Sequence, residues 1–285
     1  DKNKADAEER SKWETQVDRQ SAKNNMTKLV GGITHKYFID ENTYLRSSLS
    51  ATYSEDHISA DQQTLEDKSV PVGDIRNRKW DIVFNSYINK KFSPSHTNRS
   101  GITITGLNYD LDYKVSPNFG LNKPMEQISK GNGESMVLSA FSSSVLAISR
   151  NMTASLGITT QYFALNDNWS LEPRVALKWK PVNRHSFSVA YGLHSRREKL
   201  DYYFIEQDID GKKATNKYLD FSRAHHIGFS YDWNISSNLH LKIEPYYQYL
   251  YNIPVEGNSS FSLINHEDFY LNRILTNKGA GKNYG

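Results

Sequence analysis

Ile227-Gly228-Phe229-Ser230-Tyr231-Asp232-Trp233 alternates bulky apolar side chains with small or polar ones, turns at Ser236-Ser237-Asn238-Leu239, and resumes as Leu241-Lys242-Ile243. A period of two puts one set of side chains on one face of a strand and the other set on the opposite face. The same rhythm runs through Leu45, Leu49 and Tyr53, through Trp80, Ile82, Phe84 and Ile88, and through Leu156, Ile158 and Tyr162. It returns in Val175, Leu177 and Trp179, and in Phe187, Val189 and Tyr191. Ile102 and Ile104 give way to Leu107, Tyr109, Leu111 and Tyr113, a change of phase that predicts a β-bulge near Gly106.

The segments are joined unevenly. Short polar turns stand at Ile39-Asp40-Glu41-Asn42, Pro94-Ser95-His96-Thr97, Arg150-Asn151-Met152-Thr153, Val182-Asn183-Arg184-His185 and Ser236-Ser237-Asn238-Leu239. Between them lie longer polar connections at 56–78, 115–134, 196–221 and 253–280, with a shorter one at 165–170. Short turns at one end and long loops at the other are the habit of an outer-membrane barrel, whose tight turns face the periplasm and whose loops face outward. The reading is therefore all-β: an antiparallel up-and-down transmembrane β-barrel. Residues 1–25, charged and nearly free of apolar side chains, are expected to be a polar extracellular loop segment. Residues 26–285 are expected to be a partial barrel with short periplasmic turns and long extracellular loops. About 10–11 strands, the last beginning at Gly281–Gly285, do not close in the usual even-numbered pattern, so a portion of a larger barrel is expected.

Composition agrees. Of 285 residues, 37% are hydrophobic and 12% aromatic, with 18 Tyr, 12 Phe and 5 Trp. No run approaches the about 18 apolar residues of a membrane helix, and a barrel strand needs apolar residues only at alternate positions. Aromatics at strand ends, such as Tyr37, Phe92, Tyr162, Trp179 and Trp233, suit a membrane–water boundary. The net charge of +3 and the lack of a basic stripe give no sign of a nucleic-acid partner. With no cysteine there is no disulfide framework, thiolate metal site or Cys nucleophile.

The sequence nominates no catalytic residue. G-x-S-x-G, a Walker loop and G-x-G-x-x-G are all missing. His225-His226 are adjacent on a strand and point to opposite faces, so they do not share a metal ion. Glu55, Asp56 and His57, and Asp208 with Asp210, lack the spacing of a calcium loop and read as solvated loop charge. Within 196–221, Tyr202, Tyr203 and Phe204 lie near Arg196, Arg197 and Lys199; they suit either a sugar or peptide platform or the packing of the loop onto its neighbours. Lys178, Lys180, Lys242 and Glu244 are expected to face the lumen and solvate it or pair with whatever fills it.

From about 172 to 285 the sequence resembles a known family. Leu171-Glu172-Pro173-Arg174, Ser222-Arg223-Ala224-His225-His226, Glu244-Pro245-Tyr246-Tyr247-Gln248, Tyr251-Asn252-Ile253-Pro254-Val255 and Thr276-Asn277-Lys278-Gly279-Ala280-Gly281-Lys282-Asn283-Tyr284-Gly285 occur in this order. Together they look like the barrel of TonB-dependent outer-membrane receptors of the Bacteroidetes type with a carboxypeptidase-regulatory-like domain. The first 170 residues resemble the family only in general pattern. The resemblance implies a barrel of about 22 strands, a plug filling it, energy from TonB, outer-membrane lipid around it, a surface lipoprotein as a further partner, and no cofactor. The function it implies is uptake of a scarce nutrient: a glycan, peptide, siderophore or metal chelate. A passive outer-membrane channel and a soluble carbohydrate-binding β-sandwich, which also alternates, stay open as alternatives.

Overall fold

The computed structural model describes residues 17–285 except 65, 67, 118–120, 122, 258 and 266–270. Fourteen strands follow a single turn of 3-10 helix at Val17–Arg19. They are β1 (Gln20–Asp40), β2 (Thr43–Gln63), β3 (Ser69–Ser93), β4 (His96–Val115), β5 (Glu126–Ser149), β6 (Met152–Phe163), β7 (Asn168–Val182), β8 (His185–Arg196), β9 (Glu206–Ile209), β10 (Lys212–Thr215), β11 (Ser222–Ser236), β12 (Leu239–Ile243), β13 (Tyr246–Val255) and β14 (Thr276–Tyr284). One sheet takes twelve of them in the order β1 through β8, β11, β13, β14, with β12 also on β11, while β9 and β10 form a separate small hairpin. Every neighbour pair is antiparallel, and the sheet is open, β1 and β14 not being paired to each other.

The alternation that resumes at Leu241-Lys242-Ile243 and reaches Tyr251 is two strands, not one. Pro245 has no N–H to give to the ladder, and the chain breaks pairing at Glu244-Pro245 between β12 and β13. The Pro245 carbonyl still accepts the Phe229 N–H at 3.0 Å, so β12 and β13 cross as one interrupted strand. The last strand begins at Thr276 rather than Gly281, and the first begins at Gln20, within the span read as a loop; residues 1–16 of that span lie outside the described residues.

All five short turns lie at one end, as read. The long connections lie at the other end but are shorter than expected there: β2 runs to Gln63 and β3 starts at Ser69, so most of 56–78 is strand, as is much of 115–134. The reason is that β2 to β5, at 20–25 residues each, greatly exceed what a bilayer requires. About 9–11 residues cross the hydrocarbon; the remainder continues as paired strand in water. There both faces carry polar groups, as in Glu55, Asp56 and His57, and the alternation that marks a strand disappears from the sequence.

Side-chain exposure identifies the two faces. The register sets Ile33 opposite Leu49, Leu49 opposite Phe84, Phe84 opposite Ile104, Ile104 opposite Leu138 and Leu138 opposite Tyr162. Directly paired residues share a face, so these form one lateral apolar row. Its members and their neighbours are open to the surroundings: Ile33 is 75% exposed, Ile82 55%, Val189 48% and Phe229 43%. In a β-sandwich these side chains would be sealed between two sheets. Here they form an outward apolar belt, and lipid is the solvent that suits it.

The expected bulge at Gly106 is absent. β3 and β4 stay in register from Gly73↔Val115 to Lys91↔Thr97. The apolar residues change face instead. From Ile104 toward the short turns they point outward, whereas Leu107, Tyr109, Leu111, Tyr113 and Val115 point inward and are at most 6% exposed. Their outward neighbours are Asn108, Asp110, Asp112 and Lys114. Gly106 marks the height at which the outward residues turn from apolar to polar and the inner face becomes covered by protein.

Candidate functional site

That inner cover is the connection 197–221. Its 3-10 turn Leu200–Phe204 is laid against the inner face, where Tyr203 meets Phe163 of β6 edge to face at 5.3 Å and Phe204 meets Tyr109 of β4 at 4.8 Å. Leu200, Tyr202, Tyr203, Ile205, Leu219 and Phe221 join the inner-wall residues in one apolar cluster. Tyr202 is 5% exposed and Tyr203 1%. The Tyr203 hydroxyl accepts the Glu198 N–H at 3.1 Å, and the buried Glu198 carboxylate takes the Ser222 hydroxyl and stands 3.7 Å from Arg196. Lys79 reaches Asp201 at 3.9 Å, and the Arg197 guanidinium lies 5.8 Å from the Phe163 ring. Burial pushes the Tyr203 hydroxyl up to about 12 and also raises Tyr113, where the charge of Asp201 adds to the effect. These phenols are neutral packing groups at any physiological pH. Tyr202, Tyr203, Phe204, Arg196 and Arg197 do come together, in the form of a packed cap rather than an exposed aromatic platform; Arg196 alone of the five is largely open to solvent.

Nearer the short turns the inner face is wet. Arg174, Gly192, His226, Gln248 and Asn283 lie in one lateral row across β7, β8, β11, β13 and β14. The first four of these border a concavity of about 700 Å³. Glu172, 1% exposed, accepts from Gln161 at 2.8 Å, Ser170 at 3.0 Å and Arg174 at 3.0 Å, which fixes the guanidinium against the wall. The His194 and His226 rings lie 4.5 Å apart on this face. Such a wall offers hydrogen-bond donors and acceptors to a polar occupant. Lys242 pairs with Glu244 at 2.6 Å, and Lys178 and Lys180 border a smaller recess with Asp232 and His240.

The possible metal ligands are dispersed. His225 points outward, where its Nδ1 meets the Tyr191 hydroxyl at 3.0 Å and its ring stacks on Tyr251 at 5.2 Å; His226 points inward. Glu55 meets Arg78 at 3.1 Å and His57 meets Asp74 at 2.7 Å, while Asp56 lies on the opposite face. The Tyr53 hydroxyl first, and Arg78 second, hold the Glu55 carboxyl below its usual range. Asp208 accepts the Gly211 N–H at 2.8 Å and shapes the β9–β10 turn, in which Asp210 has φ 54°. Among the described residues no cluster of three such side chains could hold an ion. Sequence reasoning missed Gln161 and Arg46, although each stands at an in-between position of an apolar alternation, which is the signal that would have placed it on the lumen wall.

No family model matches the sequence, and no curated protein does. Among solved structures the chain is similar to the RagAB peptide importer in its closed-closed state, with a TM-score of 0.62 and 12% identity over 93% of this chain and 34% of that one. It is similar to the ferric-catecholate import receptor Fiu from E. coli K12, with a TM-score of 0.59 and 9% identity over 91% of this chain and 44% of that one. The FrpB iron transporter from Neisseria meningitidis gives 0.53 and 12% identity over 92% and 48%. The chain therefore spans between about a third and a half of the length of these proteins. Its fold is that of the barrel wall of TonB-dependent outer-membrane receptors, as the C-terminal motifs led one to expect. At such identities the likeness is one of fold.

Proposed function

We propose that this chain forms wall strands and mouth loops of a TonB-dependent outer-membrane receptor that takes up a scarce nutrient. The observation that carries the reading is the exposed apolar belt backed by a polar inner face, since that pairing suits a lipid-embedded bore and no soluble sheet. The short turns would face the periplasm and the capped end would face outward. A plug would occupy the polar lumen, TonB would supply the pull, and a surface lipoprotein would meet the capped mouth. The substrate class is a glycan, peptide, siderophore or metal chelate, and the wall's donors and acceptors suit any of these. The chain's part is to hold and guide rather than to catalyse.

The test uses the full-length protein in its own host. It should fractionate with outer membranes, migrate faster unheated than boiled on detergent gels, and support growth on a limiting nutrient only when TonB is present. Release into buffer without detergent would end the reading. Uptake that persists without TonB would favour a passive channel.

A further inference from the structure

Three donor-bearing side chains converge at one point of the inner wall. Arg174 of β7, Gly192 of β8 and His226 of β11 are paired directly across their strands, and His194 folds back over Gly192 from farther along β8. The missing side chain is what lets it do so: a Cβ at 192 would stand 2.7 Å from the His194 Nε2 and 3.5 Å from the Arg174 Cγ. The imidazole and the arginine stem therefore flank the same point, and the His226 ring lies 4.5 Å from that of His194. His240, nearer the short turns on the same wall, pairs with Asp232 at 3.0 Å. Neither His194 nor His226 has a hydrogen-bond partner among the described residues. Toward the short turns the next row is Ser155, Ala176, Ala190 and Gly228, closed at one end by Tyr246. Side chains this small leave a shelf beside the donors, and the concavity of about 700 Å³ opens there. That is the size of recess that takes an organic solute.

From this arrangement we infer that Arg174, His194 and His226 bind an oxyanion group of the transported solute, whose organic body lies on the small-residue shelf against Tyr246. The inference rests on the receptor reading and narrows its substrate to a solute bearing a carboxylate or phosphate, setting neutral glycans aside. Charge decides the sign of the occupant. Glu172 is buried, and its oxygens already accept from Gln161, Ser170 and Arg174, so it has nothing to offer a cation in the lumen. Arg174 is half-exposed and keeps further N–H groups for the lumen side. A metal ion between the two imidazoles would stand beside a guanidinium and lack a carboxylate. An oxyanion there accepts from the guanidinium and from one N–H of each ring, and the hydrogen bond from arginine is charge-assisted.

The experiment titrates the purified full-length receptor by calorimetry with trialanine and its C-terminal amide, with glucuronic acid and glucose, and with inorganic phosphate. Wild type should bind at least one of the oxyanions and prefer an organic acid to its neutral counterpart by roughly tenfold. The probe that binds names the source: a peptide carboxyl terminus, an acidic sugar or a phosphate. R174Q and H194N/H226N, with folding checked by heat-modifiable mobility, should each weaken that binding about tenfold. K180Q removes an inner-wall charge outside the cluster and should leave binding unchanged. If R174Q does not insert, H194N/H226N decides alone. Failure of every oxyanion to bind, equal binding of the neutral counterparts, unchanged binding in folded variants, or an equal loss in K180Q overturns the inference. So does zinc(II) bound at the two histidines in place of the anions. Each of these leaves the receptor reading standing, which fails instead if the full-length protein is released into detergent-free buffer.

Discussion

Tyr203, from the connection between β8 and β11, packs edge to face on Phe163 at the upper end of β6, with ring centres 5.3 Å apart and both residues almost fully buried. This contact ties a long outer connection to the inner wall 40 residues away in sequence. Aromatic pairs of this geometry add about 0.5–1.5 kcal/mol to the burial itself. Tyr203→Ala removes the ring and the acceptor of the Glu198 N–H together, at a cost of about 3–5 kcal/mol. The outward side chains of the belt are not part of this cluster. The expected outcome is rapid protease cutting within 197–221 in a barrel that still shows heat-modifiable mobility. Tyr203→Phe should retain the cap and lose only the hydrogen bond. Equal protease resistance of Tyr203→Ala and wild type would show that the cap does not depend on this ring.

Ile158 and Thr159 are consecutive on β6 and face opposite ways, Ile158 being 45% exposed on the belt and Thr159 lying on the inner wall. A charge at mid-membrane on the lipid side of a barrel costs about 2–4 kcal/mol, while the lumen tolerates it. Ile158→Arg should reduce the folded fraction in urea titrations of the full-length protein in lipid, and Thr159→Arg should scarcely change it. Similar losses at both positions would contradict the assignment of the two faces.

The uneven legibility of the chain has one physical origin. Alternation is visible only where a strand separates an apolar medium from a polar one. Phe229, Tyr231 and Trp233 lie between lipid and lumen, and their strand was readable from the sequence alone. Glu55, Asp56 and His57 belong to a strand as regular as any, but water bathes that stretch and the rhythm fades. At Gly106 the two media exchange sides while the strand continues, which in one dimension looks like a bulge. The fate of Tyr202 and Tyr203 depended on Phe163 and Leu111, partners too distant in sequence to be read. The motif Asn277-Lys278-Gly279 was visible as a resemblance, and its reason lies in the β13–β14 contact.

Glu256 and Arg273, at the two ends of the last connection, meet at 2.6 Å. The Ser259 hydroxyl first, and Arg273 second, hold the Glu256 carboxyl below its usual range. A depressed folded-state pKa stabilises the connection at pH above the ordinary carboxylate value, and that contribution is lost as pH falls through the folded value. Hydrogen-exchange protection at residues 259–265 should therefore be flat from neutral pH downward and decline only in acid. Glu256→Gln should lower protection at neutral pH and abolish the acid step. A step that survives in Glu256→Gln would assign it to another group.

Gly279 on β14 lies opposite a bulge in β13, where Asn252 adopts φ 58° and the pairing skips from Leu250 to Ile253. The bulge is held by a polar knot in which the Asn252 amide donates to Asp220 at 2.7 Å and the Asn277 amide donates to the Asn252 carbonyl at 2.8 Å. This brings β13 so close that a Cβ at 279 would meet the Val255 Cγ1 at 2.5 Å and the Ile253 carbonyl oxygen at 2.7 Å. A side chain can rotate away, but a ladder carbonyl cannot. Gly279→Ala is expected to cost about 1–3 kcal/mol and to reduce the heat-modifiable fraction of the full-length protein. Adding Val255→Ala should recover only part of the loss, because the Ile253 carbonyl remains in place. Full recovery in the double variant would mean that the Val255 methyl, and not the backbone, sets the requirement for glycine.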